Sequence, residues 1–310
     1  MDPIDNSWRL AGKRIALQRR AAMIRAIRGF FDDRGYLEVE TPIRIPSPAP
    51  EAHIDAPSSG DWFLQTSPEL CMKRLIAAEY PRIYQISKCF REGERGRLHL
   101  PEFTMLEWYC RGADCRALMQ ECEDLVLAVA RALDMRETLD YQGMTIALAP
   151  PWERLSVTDA FAKYASLSLR EALEKDRFDE IMAGEIEPRF GDGRPVFLYD
   201  YPAEHGALAR RKASDPTLVE RFELYLGGLE LANAFAELTD EREQRSRFEQ
   251  ALRVRLAAGK AAYPMPETFL MSLRHMPDTA GIALGVDRLA MLLADSDAID
   301  EVVAFTPDAL

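Results

Sequence analysis

Two strand-like segments on either side of a charged loop constrain the fold more than any other feature of this sequence. RIYQISKCF and FTMLEWY are rich in β-branched and aromatic residues, and the loop between them, from Arg91 to Glu102, contains glycine and both signs of charge. Two such segments joined by a glycine-containing loop are expected to pair as an antiparallel hairpin. The chain should therefore contain an antiparallel sheet, with the loop side chains displayed at one end of two long strands.

The other segments predict strands and helices in irregular order. A long amphipathic helix from Leu10 to Arg34 should end at Gly35, and LEVETPIR should form an edge strand that stops at Pro42. This order indicates an α+β fold, an antiparallel sheet flanked by helices, rather than a regular βαβ repeat. Further expected elements are a helix with Ser67 as N-cap and Pro68 as first residue, a helix from Asp114 to Leu133, a helix-rich polar stretch from Thr158 to Glu187, strands RFELYL and LELANAFAEL after the apolar segment PVFLYDYP, a charged helix from Asp240 to about Ala258, and strand TAGIALG running into helix VDRLAMLLA.

Length and composition indicate a compact globular protein. With 310 residues and 47% hydrophobic content, the chain can bury the core of one large domain or two modest ones. We expect one domain over residues 1–310, with a helix-rich insertion at about 153–195. The formal net charge of −12 disfavours a broad grip on a phosphate backbone, so stable tRNA binding is not expected.

The cysteines and the apolar runs predict where the protein resides. The five cysteines are odd in number and include no CxxC pair, which favours a reducing cytoplasm. No apolar run approaches the roughly 20 residues that span a bilayer. The N-terminus MDPIDNSWRL lacks the layout of a signal peptide. We therefore expect a cytoplasmic protein without membrane contact.

The charged loop of the hairpin supports two interpretations. Arginines on a fixed strand edge can hold phosphate oxygens in a bidentate grip, while an aromatic ring offers a stacking face to a base. A loop rich in both charge signs is, however, more often simply solvated, and composition alone favours that interpretation. The residues concerned are Arg91, Glu92, Glu94, Arg95, Arg97, His99 and Phe103.

A second candidate is GIALGVDR, Gly281 to Arg288, where small residues on a strand precede a helix with an arginine in its first turn. Glycines permit close approach of the backbone, and a helix start supports anions. The spacing is not the dinucleotide fingerprint GxGxxG, so packing is the default role for this segment alone.

Acidic residues in strand-like contexts form a third set. Glu223, Glu230 and Glu237 are spaced by sevens, and Glu69 and Glu107 lie elsewhere. Each could face solvent on the open side of an antiparallel sheet, or could point into a site that holds Mg²⁺ or a ligand ammonium group. His53, His205 and His275 have no metal-ligand spacing, and no GxSxG nucleophile elbow occurs.

Together these segments resemble the three motifs of class II aminoacyl-tRNA synthetases of the lysyl branch. GYLEVETP resembles motif 1, FREGERGRLHLPEFTMLEWY resembles motif 2, and GIALGVDR resembles motif 3. TSPEL..KRL and ELANAFAELTD are further lysyl-type signatures. The resemblance runs in order along nearly the whole chain and implies a class II synthetase catalytic core.

Within that branch the chain is similar to the elongation factor P (R)-β-lysine ligase family. Motif 1 begins at about residue 30, which leaves no room before it for the anticodon-binding barrel of a lysyl-tRNA synthetase. Trp108 matches the ligases where synthetases usually have a smaller aliphatic residue, and Ala283 matches the ligases where lysyl synthetases have glycine. The resemblance implies ATP-dependent activation of (R)-β-lysine and its transfer to a lysine of elongation factor P, forming an amide with release of AMP and pyrophosphate.

The resemblance also implies roles for individual residues. Arg91 and Arg288 are the implied catalytic residues, with Arg91 on the α-phosphate and Arg288 on the terminal phosphate. Phe103 would stack on adenine, and motif 1 implies a homodimer. The implied ATP-binding residues are Arg91, Glu92, His99, Phe103, Glu230, Leu231, Gly285 and Arg288; those around the lysine-type substrate are Ser67, Pro68, Glu69, Glu107, Tyr109, Asn233, Glu237 and Ala283; those for Mg²⁺ are Glu223 and Glu230.

The chain departs from the family pattern at four positions. Leu100 replaces an asparagine and so removes one polar contact to ATP, and Gly93 replaces a common glutamate. Ala234 and Ala236 replace glycine and histidine. Two other functions remain open, a shortened lysyl-tRNA synthetase that charges tRNA with α-lysine and a paralogue without catalytic activity that serves as a binding module. Ala283 and the acidic balance disfavour the first, and the intact set of ATP-handling residues disfavours the second.

Overall fold

The computed structural model describes residues 7–135, 137–190, 193–206 and 208–310. The strands are β1 (Leu37–Glu38), β2 (Arg44–Ile45), β3 (Ser58–Ser59), β4 (Trp62–Leu64), β5 (Arg82–Phe90), β6 (Glu102–Arg111), β7 (Thr138–Tyr141), β8 (Met144–Ala147), β9 (Glu153–Ser156), β10 (Val196–Pro202), β11 (Arg211–Lys212), β12 (Asp215–Leu226), β13 (Leu229–Ala236) and β14 (Thr279–Gly285). The helices are α1 (Ser7–Gly12), α2 (Arg14–Asp33), α3 (Glu69–Ala77), α4 (Cys115–Ala132), α5 (Val157–Tyr164), α6 (Leu169–Glu174), α7 (Phe178–Ile181), α8 (Glu241–Ala257), α9 (Glu267–Ser272) and α10 (Val286–Ala294).

A nine-stranded sheet organises these elements. Its strand order is β1-β5-β6-β14-β13-β12-β10-β9, and β11 pairs with β12. The pairs β1/β5 and β9/β10 are parallel, while the pairs between them are antiparallel. The predicted α+β class, an antiparallel sheet flanked by helices, is therefore confirmed.

Side-chain alternation separates the two faces of the sheet. On one face, Tyr84 and Trp108 belong to the main core, where the ring of Phe31 from α2 stacks on Tyr84 with centroids 4.5 Å apart. On the other face, their neighbours Ile83 and Tyr109 pack with residues of α3 and α9. Successive strand residues point to opposite faces. Polar residues two positions from Ile83 or Tyr109 on the same strands therefore lie on the second face as well.

Most of the predicted elements are confirmed. The predicted hairpin is β5–β6, paired from Arg82 opposite Cys110 to Phe90 opposite Glu102. The helix predicted from Asp114 is α4, with the Asp114 carboxylate accepting the Ala117 N–H. The charged helix is α8 with Asp240 as N-cap, and TAGIALG runs from β14 directly into α10.

Three local predictions are wrong. The first long helix is two helices, α1 and α2, which meet at Lys13. The edge strand is limited to β1, because the chain then turns into β2, which pairs with β4 in a separate three-stranded sheet. Pro68, not Ser67, is the N-cap of α3. The Ser67 hydroxyl nevertheless accepts the Glu69 N–H at 3.0 Å.

The stretch around residues 153–195 contains α5, α6 and α7, which pack with β10 and β12 in a second hydrophobic cluster. Residues 191 and 192 lie outside the described residues, and the interpretation of this stretch as an insertion into a single domain stays a prediction. Among the helices that the structure describes, none is long and apolar enough to cross a membrane.

Candidate active site

A pocket of about 320 Å³ lies on the second face of the sheet, against β6, β13 and β14 and between the loop of the hairpin and the start of α3. It brings together residues from six separate segments of the chain. The predicted site residues that line it are Ser67, Glu69, Arg91, His99, Phe103, Glu107, Tyr109, Glu230, Leu231, Asn233, Glu237, Ala283, Gly285 and Arg288.

Strand register explains why three distant segments meet at the floor of this pocket. Ala283 lies opposite Glu107 on one neighbouring strand and opposite Asn233 on the other. All three side chains therefore point to one face, while the intervening Trp108 points into the core and donates its indole N–H to Glu121 at 2.9 Å. The tryptophan predicted as a family marker supports the sheet from behind.

One end of the pocket is basic and partly open. Arg91 is adjacent to β5, and its guanidinium carbon lies 5.1 Å from the centroid of the Phe103 ring. Its Nη1 lies 3.7 Å from Glu94 Oε2, a loose ion pair. Its buried Nε has no hydrogen-bond partner among the described residues. Arg91 thus keeps donor capacity for an anion in the pocket.

Arg288 in the first turn of α10 completes the basic end. Its Nη1 donates to the Glu230 carbonyl at 2.6 Å, and its Nη2 lies 2.8 Å from His99 Nε2. Burial and the neighbouring Arg288 charge both lower the pKa of His99. A neutral His99 accepts a hydrogen bond from Arg288 through Nε2, because a guanidinium can only donate.

The opposite end of the pocket is acidic and closed. The Ser67 hydroxyl donates to Glu107 Oε1 at 2.6 Å, and the Tyr109 hydroxyl donates to Oε2 at 2.8 Å. Burial, followed by the charge of Glu69, raises the pKa of Glu107 to about 7. Burial also raises the pKa of Glu237 to about 8, against the lowering effect of Lys73.

Lys73, a residue that the sequence analysis did not select, organises this acidic end. It is 1% exposed, forms an ion pair with Glu69 one helical turn earlier, and lies 2.5 Å from Glu237 Oε2. Glu237 Oε1 has no hydrogen-bond partner among the described residues. The sequence feature that could have identified Lys73 is its (i, i+4) spacing from Glu69, which places both residues on one helix face.

Gly281 is the second residue that the sequence analysis did not single out. A Cβ at this position would lie 2.3 Å from the Tyr109 ring and 2.5 Å from Glu237 Oε1. Both distances are far below van der Waals contact, so glycine is required for these two side chains to occupy the pocket floor. The sequence feature that could have identified Gly281 is its position within GIALGVDR, two residues before Ala283.

Three predicted residues do not line the pocket. Pro68 is buried at the start of α3, and Glu92 is exposed. Glu223 accepts hydrogen bonds from Tyr201 at 2.5 Å and Tyr225 at 2.7 Å and forms an ion pair with Arg221. No group of three or more His, Cys, Asp or Glu residues within the described ranges is arranged to hold a metal.

Comparison with known proteins places this site in a family. The family model described as tRNA synthetases class II (D, K and N) matches residues 8–309. The elongation factor P--(R)-beta-lysine ligases of Edwardsiella ictaluri and Sodalis glossinidius are each 40% identical, over 97% and 96% of this chain and 98% and 97% of theirs. The ligase of Hamiltonella defensa is 41% identical over 96% of this chain and 97% of its own. The chain therefore belongs to the elongation factor P (R)-β-lysine ligase family, a branch of the class II (D, K and N) synthetases.

Proposed function

We propose that this protein uses ATP to activate (R)-β-lysine as an adenylate and transfers it to the ε-amino group of a lysine on elongation factor P. The observation that carries the proposal is the polarity of one pocket, with Arg91 and Arg288 at one end and Glu69, Glu107 and Glu237 at the other. An anion and a cation of complementary size can bind there side by side. The ligases of Edwardsiella ictaluri and Sodalis glossinidius are named for this acceptor and this amino acid.

In the proposed first step, the substrate carboxylate attacks the α-phosphorus of ATP and pyrophosphate leaves. Arg91 binds the α-phosphate and stabilises the negative charge that grows on it in the transition state. Phe103 stacks on the adenine, and Arg288, hydrogen-bonded to neutral His99, binds the terminal phosphate. Gly285 and Leu231 line the pocket, and the resemblance implies that they would lie beside the nucleotide.

The acidic end suits an amino acid with two ammonium groups. Three carboxylates, Glu69, Glu107 and Glu237, face one ammonium group, that of Lys73, which leaves an excess of two negative charges when all are ionised. The unpaired Oε1 of Glu237 is buried, and a buried carboxylate oxygen is costly without a partner. A substrate ammonium would supply that partner. Asn233 and Ala283 complete the floor.

Magnesium fits this site through Glu230 rather than through Glu223. Glu230 lines the pocket beside Arg288, and Mg²⁺ commonly needs only one or two carboxylates when nucleotide phosphates supply other oxygens. Glu223 is already engaged by Arg221, Tyr201 and Tyr225 and would have to exchange partners to reach a metal. Mg²⁺ held by Glu230 would neutralise charge on the phosphates.

We further propose a homodimer in the cytoplasm. The five cysteines are all free, which suits a reducing compartment. Leu10 in α1, Ile15 in α2 and Leu37 in the segment that resembles motif 1 are exposed apolar residues, which a two-fold interface there would bury. Light scattering should give about twice the chain mass of 35.1 kDa; a monomer at micromolar concentration contradicts this proposal.

The function is tested by ATP–pyrophosphate exchange with α-lysine and (R)-β-lysine in parallel, followed by mass spectrometry of elongation factor P and tRNA offered together. We expect faster exchange with the β isomer and added mass on elongation factor P. Preference for α-lysine with charged tRNA would instead identify a shortened lysyl-tRNA synthetase. No exchange with either isomer would indicate a binding module without catalytic activity.

A further inference from the structure

A further acidic residue, Glu51, lies on the pocket wall between its two ends. It is half-buried and lines the pocket together with Ala49 and Ile54. Its strongest electrostatic neighbours include Arg91 from the basic end and Glu69 from the acidic end. In the proposed complex, the nucleotide at the basic end and the amino acid at the acidic end would share this pocket with Glu51. Its carboxylate makes no hydrogen bond or ion pair with the residues that the structure describes.

The segment that carries Glu51 is held in place by buried contacts. Arg255 of α8 is 2% exposed, and its Nη1 donates to the carbonyls of Glu51 at 2.9 Å and Ile54 at 2.8 Å. The Asp55 carbonyl accepts the Glu92 N–H at 2.7 Å, which ties the segment to the hairpin loop beside Arg91. The position of Glu51 is therefore set by the fold and not by free motion of a surface loop.

Resting on the proposed function, we propose that Glu51 is the general base of the second step, taking a proton from the acceptor lysine as it attacks the adenylate. The ε-amine first loses one proton to solvent and enters neutral. Its nitrogen then bonds to the carbonyl carbon, Glu51 takes a second proton from that nitrogen, and the carbon–oxygen bond to phosphate breaks. The electron pair of that bond leaves with AMP, and Glu51 returns its proton to solvent.

The surroundings of Glu51 suit this role. When the neutral amine attacks, its nitrogen gains a positive charge and still carries two protons, so formation of the neutral amide requires a base to take one of them. Burial raises the pKa of the Glu51 carboxyl to about 7. Arg91 on the hairpin loop and Arg221 on β12 oppose this effect, while Glu69 at the start of α3 and Glu94 on the loop add to it. A base near neutrality both accepts and releases the proton readily.

The test is Glu51→Gln in the full-length protein, with the two steps measured separately. Exchange with (R)-β-lysine reports the first step, and single-turnover transfer from preformed adenylate to elongation factor P reports the second. We expect transfer to fall about 100-fold or more, the usual size of general-base catalysis, while exchange changes only a few-fold. Glu51→Asp should restore part of the transfer.

The pH dependence of transfer separates catalysis from structure. In the wild type, log rate should rise more steeply below pH 7 than above it, because both Glu51 and the acceptor amine must lose protons; in Glu51→Gln the extra slope should be absent. Glu94→Gln, which removes another carboxylate beside Arg91, should alter exchange instead. Equal losses of exchange and transfer in Glu51→Gln, or unchanged transfer, overturn this inference. Failure of the wild type to modify elongation factor P would instead overturn the proposed function.

Discussion

The two ends of the pocket are built differently. At the acidic end, Glu69, Glu107 and Glu237 are fixed by Lys73, by hydroxyl donors and by close packing at Gly281. At the basic end, Arg91 has one loose ion pair at 3.7 Å and a buried Nε without a partner. The acidic side chains are thus held in position before a ligand binds, with only Glu237 Oε1 left for a substrate ammonium, whereas Arg91 is held loosely until an anion binds.

This difference indicates that the acidic end controls selectivity and that the basic end controls the rate. An acidic end whose carboxylates are buried and held in place discriminates among amino acids, because a ligand without matching ammonium groups would leave carboxylates unpaired. A basic end with free donors can instead tighten around phosphate as charge develops in the transition state. Substitutions at the two ends should therefore affect different kinetic constants.

The largest effect is expected for Arg91→Ala. Loss of one preorganised contact to developing charge typically costs about 3 kcal/mol, which corresponds to roughly a hundredfold or more in rate. We expect pyrophosphate exchange to fall by at least this factor through kcat, with a smaller change in the KM for (R)-β-lysine.

Arg95→Ala is the matched control for that substitution. Arg95 lies on the same loop, but its guanidinium binds Asp300 at 2.8 Å and Asp308 at 2.6 Å, outside the pocket. Arg95→Ala removes one positive charge from the same loop without removing a hydrogen-bond donor from the pocket. Pyrophosphate exchange should therefore stay near the wild-type rate. Equal losses in the two variants would mean that the loop's overall charge, and not Arg91 itself, supports the first step.

A smaller and more selective effect is expected for Glu237→Gln. Hydrogen bonds to charged groups contribute about 1.5–3 kcal/mol, so the KM for (R)-β-lysine should rise about 10- to 100-fold. The KM for ATP should change little, because Glu237 lies at the acidic end with Lys73. Substrate-dependence of exchange measures both constants; equal increases would show that the two ends are not independent.

The sequence predicted the fold better than it predicted the site's internal contacts. Period-two alternation in FTMLEWY is enough to place Glu107 and Tyr109 on one face and Trp108 on the other. The ion pair of Lys73 with Glu237 joins residues far apart in sequence, and no local pattern encodes it.

The acids spaced by sevens illustrate the same limit. Glu223 and Glu230 lie on different strands, β12 and β13, with a register shift between Leu224 and Tyr225 and a turn between the strands. Although Glu223 and Glu230 are regularly spaced along the chain, their side chains therefore do not enter the same site. Glu230 and Glu237 line the pocket, while Glu223 accepts hydrogen bonds from Tyr201 and Tyr225 beside it.

The smallest effect concerns pH and tests whether the acidic end acts as a charged unit. The pKa of Glu237 is raised to about 8 and that of Glu107 to about 7, so both carboxyls take up protons near neutrality. A carboxyl whose pKa is raised by folding stabilises the protein at low pH and loses that contribution as pH rises through the folded value. The free protein should therefore lose stability between about pH 5 and pH 8.

A ligand with two ammonium groups favours the ionised carboxylates, so (R)-β-lysine should bind about tenfold more tightly at pH 8 than at pH 6 and should restore the lost stability. The increase in Tm caused by the ligand should accordingly be larger at pH 8. Thermal unfolding with and without (R)-β-lysine at both pH values measures this. In Glu237→Gln the difference should shrink, because Glu107 alone still titrates. An equal Tm increase at both pH values would mean that Lys73 already keeps the Glu107 and Glu237 carboxyls ionised at pH 6. Selectivity for the ligand would then depend on the shape of the pocket rather than on release of protons from these carboxyls.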